Sequence, residues 1–140
     1  MVIYMNLKKQ ELTLHSGKTV LVEYDQDGDM LEIIFREGEA TCAIELTESI
    51  ILRFDWETSE PLSLSFISYS HLLRPNRYGE VHFQLLTDQW PKEAHDKIWN
   101  ILQSTLLSEF LELSTYAPAN SRELIPMTAI KRPYLPSLAA

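Results

Sequence analysis

Apolar and polar residues alternate with a period of two through most of the first half of the chain. This alternation is typical of strands that bury one face, and turn-forming residues separate the alternating runs. The predicted strands span residues 11–15, 19–24, 30–36, 41–46, 50–54 and 62–66. Short turns between successive strands favour an antiparallel meander. The apolar face of such a sheet needs a cover from the second half of the chain or from another subunit.

The second half contains one segment with clear helical periodicity. We expect one main α-helix over about residues 89–104, because Pro91 is tolerated in a first turn and apolar residues follow it at helical spacing. Residues 81–86 could add a seventh strand. The apolar residues of the predicted helix are Ala94, Ile98, Ile101 and Leu102.

The C-terminal part has a weaker pattern. Residues 106–116 fit a helix or a strand, and the apolar step from Leu111 to Leu113 favours a strand. Four of the seven prolines follow Ala117, so we expect an extended, Pro-rich C-terminal tail with a short strand at residues 127–131.

The predicted fold class is therefore α+β, an antiparallel β-meander of six to seven strands with one main helix and an extended tail. We expect a single domain over residues 1–140, because no linker or repeat divides the chain. Its β-rich half covers about residues 9–87, and the helix and C-terminal extension cover about residues 88–140.

Charge narrows the classes of partner. The formal net charge is −8, so the basic surface that nucleic-acid binding requires is not expected, and anionic membranes would repel the protein. We expect no direct nucleic-acid partner and no membrane partner. No apolar run is long enough for a membrane span or a secretory signal, which favours the cytoplasm. A basic protein partner remains compatible with the charge.

The acidic turn Asp25-Gln26-Asp27-Gly28-Asp29 contains the candidate metal ligands. Asp25, Asp27 and Asp29 occupy the first, third and fifth positions of a calcium-loop pattern. However, Met30 and Arg36 stand where that pattern needs glycine and glutamate. We favour an ordinary turn between two strands, for which Asp and Gly are well suited.

Other catalytic and cofactor chemistry lacks a pattern in this sequence. The four histidines are scattered, the glycines are isolated, and no nucleophile elbow occurs. Cys42 lies in an apolar alternation and is interpreted as structural. We expect no cofactor and lean against an enzyme.

Tryptophan supplies the candidate interface residues. Trp99 lies off the apolar stripe of the predicted helix, and Trp90 precedes the helix. Since Trp is enriched at subunit interfaces, Trp99 and Trp90 are candidate contacts with a second copy. Folding of the tail over Trp99 is the alternative.

Several short motifs occur between residues 22 and 73, namely Tyr24-Asp25, Gly28-Asp29, Leu31-Glu32-Ile33, Ile50-Ile51-Leu52, Asp55 and Phe66-Ile67. On these motifs the segment resembles the bacterial family called domain of unknown function 2283, and the chain as a whole resembles a longer, cyanobacterial type of member. Glu32 stands where the family commonly has tyrosine. The resemblance implies a small β-rich fold without an established activity, and an antitoxin-like role beside small ribonucleases.

These observations leave three hypotheses about function. The first is a non-enzymatic binding or assembly protein that works as a homo-oligomer. The second is an acidic, antitoxin-like partner of a small basic ribonuclease. The third is an enzyme whose site forms at a subunit interface, since such sites can be assembled without a sequence motif.

Overall fold

The computed structural model describes residues 7–74 and 81–131. The first half forms a six-stranded antiparallel sheet, as the alternation predicts. The part of the predicted tail from residue 132 onward lies outside the described residues. The strands of the sheet are β1 (Leu7–Thr13), β2 (Thr19–Asp25), β3 (Met30–Ile34), β4 (Cys42–Glu45), β5 (Ile50–Asp55) and β6 (Glu60–Ile67).

The strand order corrects the predicted simple meander. The order is β1-β2-β3-β6-β5-β4, so two three-stranded meanders join where β3 pairs with β6. The connection from β3 to β4 therefore crosses to the far edge of the sheet. Turns show which strands follow one another closely, but they carry no information about a pairing between residues so distant in sequence.

One face of this sheet, called here the inner face, holds the core. Val22, Ile33, Leu64 and Leu52 lie side by side on adjacent strands and have no solvent exposure. Each fully buried aliphatic side chain contributes about 1.5–3 kcal/mol. Burial on this scale requires a cover over the whole inner face.

The second half of the chain supplies that cover. Its elements include a three-stranded sheet, in the order β7-β9-β8, together with short helices. Ile98, Leu107 and Phe110 belong to the same buried cluster as the inner face. The strands are β7 (Phe83–Gln84), β8 (Leu111–Tyr116) and β9 (Ile125–Ile130), and the α-helices are α1 (Tyr69–Leu72), α2 (His95–Leu102) and α3 (Thr105–Ser108).

The predicted helix over about residues 89–104 is wrong in its length. The α-helix occupies only His95–Leu102, and two 3₁₀ turns, Thr87–Gln89 and Lys92–Ala94, precede it. Trp90 and Pro91 between these turns have extended backbone, with ψ of 138° at both. The residue before a proline disfavours helical backbone, which explains the later start.

The ambiguous segment contains both structures that its pattern allows. Residues 105–108 form a helical turn, and residues 111–116 form a strand that pairs with β9. The tail strand predicted at 127–131 is therefore also present, as β9 at Ile125–Ile130. None of the helices in residues 7–74 and 81–131 has the length and apolar character needed to cross a membrane.

Candidate functional site

The acidic turn between β2 and β3 is tied together by its own carboxylates. Asp25 Oδ1 accepts hydrogen bonds from the backbone N–H of Asp27 at 3.1 Å and of Gly28 at 3.3 Å. These bonds form an Asx turn, in which a side chain replaces a backbone acceptor. Asp25 therefore has the structural role that the turn interpretation assigns to it.

Asp29 links this turn to α1, the short helix that follows β6. Its Oδ1 accepts from the Tyr24 hydroxyl at 2.7 Å and from the Ser70 N–H at 3.0 Å, and its Oδ2 accepts from the Ser70 hydroxyl at 2.6 Å. Burial acts to raise the pKa of Asp29, but the hydrogen bonds from Ser70 and Tyr24 outweigh burial and lower it. The carboxylate is thus held charged by a fixed set of donors.

The same network perturbs Tyr24. Burial, which is the largest cause, the hydrogen bond to Asp29 and the charges of Asp29 and Asp25 together raise the pKa of Tyr24 to about 12.

The structure does not gather the three candidate metal ligands into a site. A carboxylate oxygen of Asp25 accepts a hydrogen bond within the turn, and one of Asp29 accepts a hydrogen bond from Ser70. Across residues 7–74 and 81–131, no group of three or more His, Cys, Asp or Glu side chains is placed to hold a metal ion. Burial raises the pKa of Cys42, which disfavours the reactive thiolate.

The two candidate interface tryptophans pack against each other. Their rings meet edge to face with centroids 5.5 Å apart, and Trp90 Nε1 donates to the Glu45 carbonyl at 3.0 Å. Trp90 is only 4% exposed, so it joins the segment before α2 to the edge strand β4 within the core. Trp99 is half-buried. A contact of either tryptophan with a second copy stays a prediction.

The feature that sequence reasoning missed is the other face of the six-stranded sheet, called here the outer face. It carries apolar side chains beside charged ones, and Met30 and Ile67 are 38% and 39% exposed there. Apolar residues occupy both alternating positions at Ile33-Ile34 and Ile50-Ile51, a pattern typical of a strand covered on both faces. The apolar side chains of this face are Leu21, Met30, Ile34, Ile51 and Ile67.

The charges of the outer face are unevenly matched. Glu23 pairs with Lys9 at 3.6 Å, yet it also stands directly opposite Glu32 on the neighbouring strand. Like charges in this position destabilise a sheet. Arg36, just beyond β3, is held by Glu60 and by Asp55.

Arg53 lies on this face on β5, the strand next to the edge strand β4. Its Nη1 donates to the Ser65 hydroxyl at 2.6 Å, and within the described parts of the chain no carboxylate lies within ion-pair distance of it. Beside it, a concave pocket of about 270 Å³ lies over β6, between Glu32 on β3 and Arg53 on β5. The pocket is open to solvent and lined by both charge signs.

The comparison with known families supports the resemblance. The sequence model of the family described as Protein of unknown function (DUF2283) matches residues 21–57. The match runs from β2 to the turn after β5. No curated protein and no solved structure matches the chain.

The geometry explains the family motif in this chain. Tyr24 and Asp29 hydrogen bond to each other, Asp25 holds the turn, and Leu31 is fully buried. These residues therefore specify the hairpin between β2 and β3. Glu32, which departs from the family's usual tyrosine, lies on the outer face beside Ser65.

Proposed function

We propose that the protein is a non-enzymatic assembly protein that self-associates through the outer face of its six-stranded sheet. The observation that carries the proposal is the apolar strip on that face, where Met30 and Ile67 lie side by side and more than a third exposed. Exposed apolar patches of this kind mark interaction surfaces.

The apolar strip has three further members on the same face, two of which lie beyond Glu32 and Glu23. Leu21 and Ile34 face each other on adjacent strands, and both are half-buried. Ile51 lies next to Ser65, two strands from β3. Covering these side chains would remove apolar area from water at about 25 cal/mol per Å².

Mixed charge on the same face supports a second copy as the occupant. Glu32 and Arg53 lie within one surface, so an identical surface can present the opposite charge to each of them. A symmetric dimer uses one patch twice, and such a patch must be complementary to itself. A strongly basic partner would leave Arg53 facing like charge.

The test is sedimentation velocity over a wide range of protein concentration. We expect a concentration-dependent dimer that Ile34→Lys and Ile51→Lys each weaken, because both place a charge in the apolar strip. Leu124→Lys is the matched control, since Leu124 is 65% exposed and lies outside the six-stranded sheet. Circular dichroism checks that each variant folds. A monomer at every concentration overturns the proposal.

A second candidate is the acidic partner of a small basic ribonuclease. The net charge of −8 and the like-charged pair Glu23 and Glu32 support it. Here the purified protein should inhibit a basic ribonuclease isolated with it, and Glu23→Gln with Glu32→Gln should abolish the inhibition. An uninhibited ribonuclease contradicts this candidate.

A further inference from the structure

Two opposite charges flank the central strand of the outer face. Glu32 on β3 stands directly opposite Ser65 on β6, and the Ser65 hydroxyl accepts the 2.6 Å hydrogen bond from Arg53 on β5. Ser65 is 1% exposed because these taller side chains surround it. Arg53 stands opposite Ser63 and reaches Ser65 diagonally, so that these three side chains adjoin one another across β6 and are called here the Arg53–Ser65–Glu32 row.

Neither charge of this row is neutralised within the described residues. Arginine has five N–H donors, and the structure shows one of them bonded, to Ser65. Glu32 faces Glu23, whose cation partner is Lys9. Both Arg53 and Glu32 are half-buried, and partly desolvated charges gain more from a partner than exposed ones do.

The other charges of the face are less suited to bind a second copy. Arg36 is engaged by Glu60 and Asp55, and Glu23 is engaged by Lys9. Glu45 is exposed on the edge strand β4, where solvent screens a pair most strongly. Arg53 and Glu32 are therefore the pair that self-association would use.

We infer that two copies pack outer face to outer face about a two-fold axis at the Arg53–Ser65–Glu32 row, so that Arg53 of each copy pairs with Glu32 of the other. This inference rests on the proposed function. Two-fold symmetry forms the ion pair twice, and it places a cation against Glu32, where Glu23 now repels it. Along the strands, Ile34 lies on one side of Glu32 and Met30 with Ile67 on the other, and in the dimer these side chains would exclude water from the ion pairs.

Charge reversal tests the pairing. In a dimer of the Arg53→Glu variant, only carboxylates would meet at the two-fold axis. In a dimer of the Glu32→Arg variant, only guanidinium groups would meet there. We expect either variant alone to dimerise at least about tenfold more weakly than the natural chain, because like charges meet in a desolvated centre. An equimolar mixture of the two variants should form a heterodimer of nearly natural affinity, since both pairs are restored. The chain that carries both substitutions should also recover.

Native mass spectrometry of the mixture, with one variant isotope-labelled, counts the heterodimer directly. Glu112→Arg is the matched control. It makes the same charge change as Glu32→Arg, but at an exposed position on β8, outside the six-stranded sheet. Homodimers unaffected by charge reversal, or a mixture without preference for the heterodimer, overturn the inference while self-association stands. A natural chain that stays monomeric refutes the proposed function itself. Changed unfolding stability with unchanged association would place the Arg53 and Glu32 pair within one chain, and it also overturns the inference.

Discussion

The carboxylate of Asp29 joins three parts of the chain at the scale of single residues. It accepts from Tyr24 on β2 and from Ser70 on α1, and its own backbone is left-handed, with φ of 51°. Asp29→Ala removes acceptors from buried donors and puts alanine in a strained conformation, so we expect a loss of about 2–3 kcal/mol in unfolding free energy. Urea denaturation measures it. Gln26→Ala, exposed in the same turn, is the control, and equal effects of the two substitutions would contradict the assignment.

Tyr24 gives the same network a pH signature. Because its pKa rises from 10.0 to about 12 on folding, the unfolded chain ionises first and folding stability falls as the pH rises between these values. The stability that neutral Tyr24 contributes is fully present below pH 10.0. Asp29 acts in the opposite direction, since its lowered pKa contributes stability that is lost in acid. Urea unfolding at stepped pH should show a shallower alkaline decline for Tyr24→Phe, and parallel declines would refute this.

At the scale of elements, the junction between α2 and α3 depends on one serine. The Ser104 hydroxyl caps α3 by accepting from the Leu107 N–H at 3.3 Å, and it donates to the Ile101 carbonyl at 2.6 Å. Ser104→Ala should cost about 1 kcal/mol of unfolding free energy, because both groups lose their partner. Ser114→Ala, exposed on β8, controls for removal of a hydroxyl. Equal unfolding midpoints for both variants would show that the cap contributes nothing.

Elements were predictable from the sequence where one local pattern acted alone. The alternation of Val20, Val22 and Tyr24 predicts β2 because side chains of a strand point to opposite faces. The pairing of β3 with β6 was not predictable, since it depends on contacts distant in sequence. The helix was predicted to begin too early, because Pro91 is tolerated in a first helical turn, whereas Trp90 and Pro91 have extended backbone here.

The candidate site was partly visible in the same way. The sequence indicates the acidic turn and the tryptophans as candidate sites because their side chains are chemically distinctive. Tertiary packing decides which face of the sheet the second half of the chain covers. Only the structure shows that Ile34 and Arg53 lie on the outer face, which that half leaves uncovered. The apolar run Ile50-Ile51-Leu52 contained the signal, because a strand with one buried face needs apolar residues only at alternate positions.

At the scale of the whole molecule, net charge separates the two candidate functions by the sign of their salt dependence. Two copies each carrying −8 repel each other at long range, and salt screens exposed charges far more than desolvated pairs. Self-association should therefore tighten as ionic strength rises from low to moderate values, whereas a complex with a basic ribonuclease should weaken. Glu112→Lys with Glu123→Lys makes the net charge less negative at exposed sites, so this variant should show a flatter salt dependence. Sedimentation equilibrium at stepped salt measures both chains. Self-association that weakens with salt would mean that attraction between charges dominates, contrary to an interface built mainly on the apolar strip.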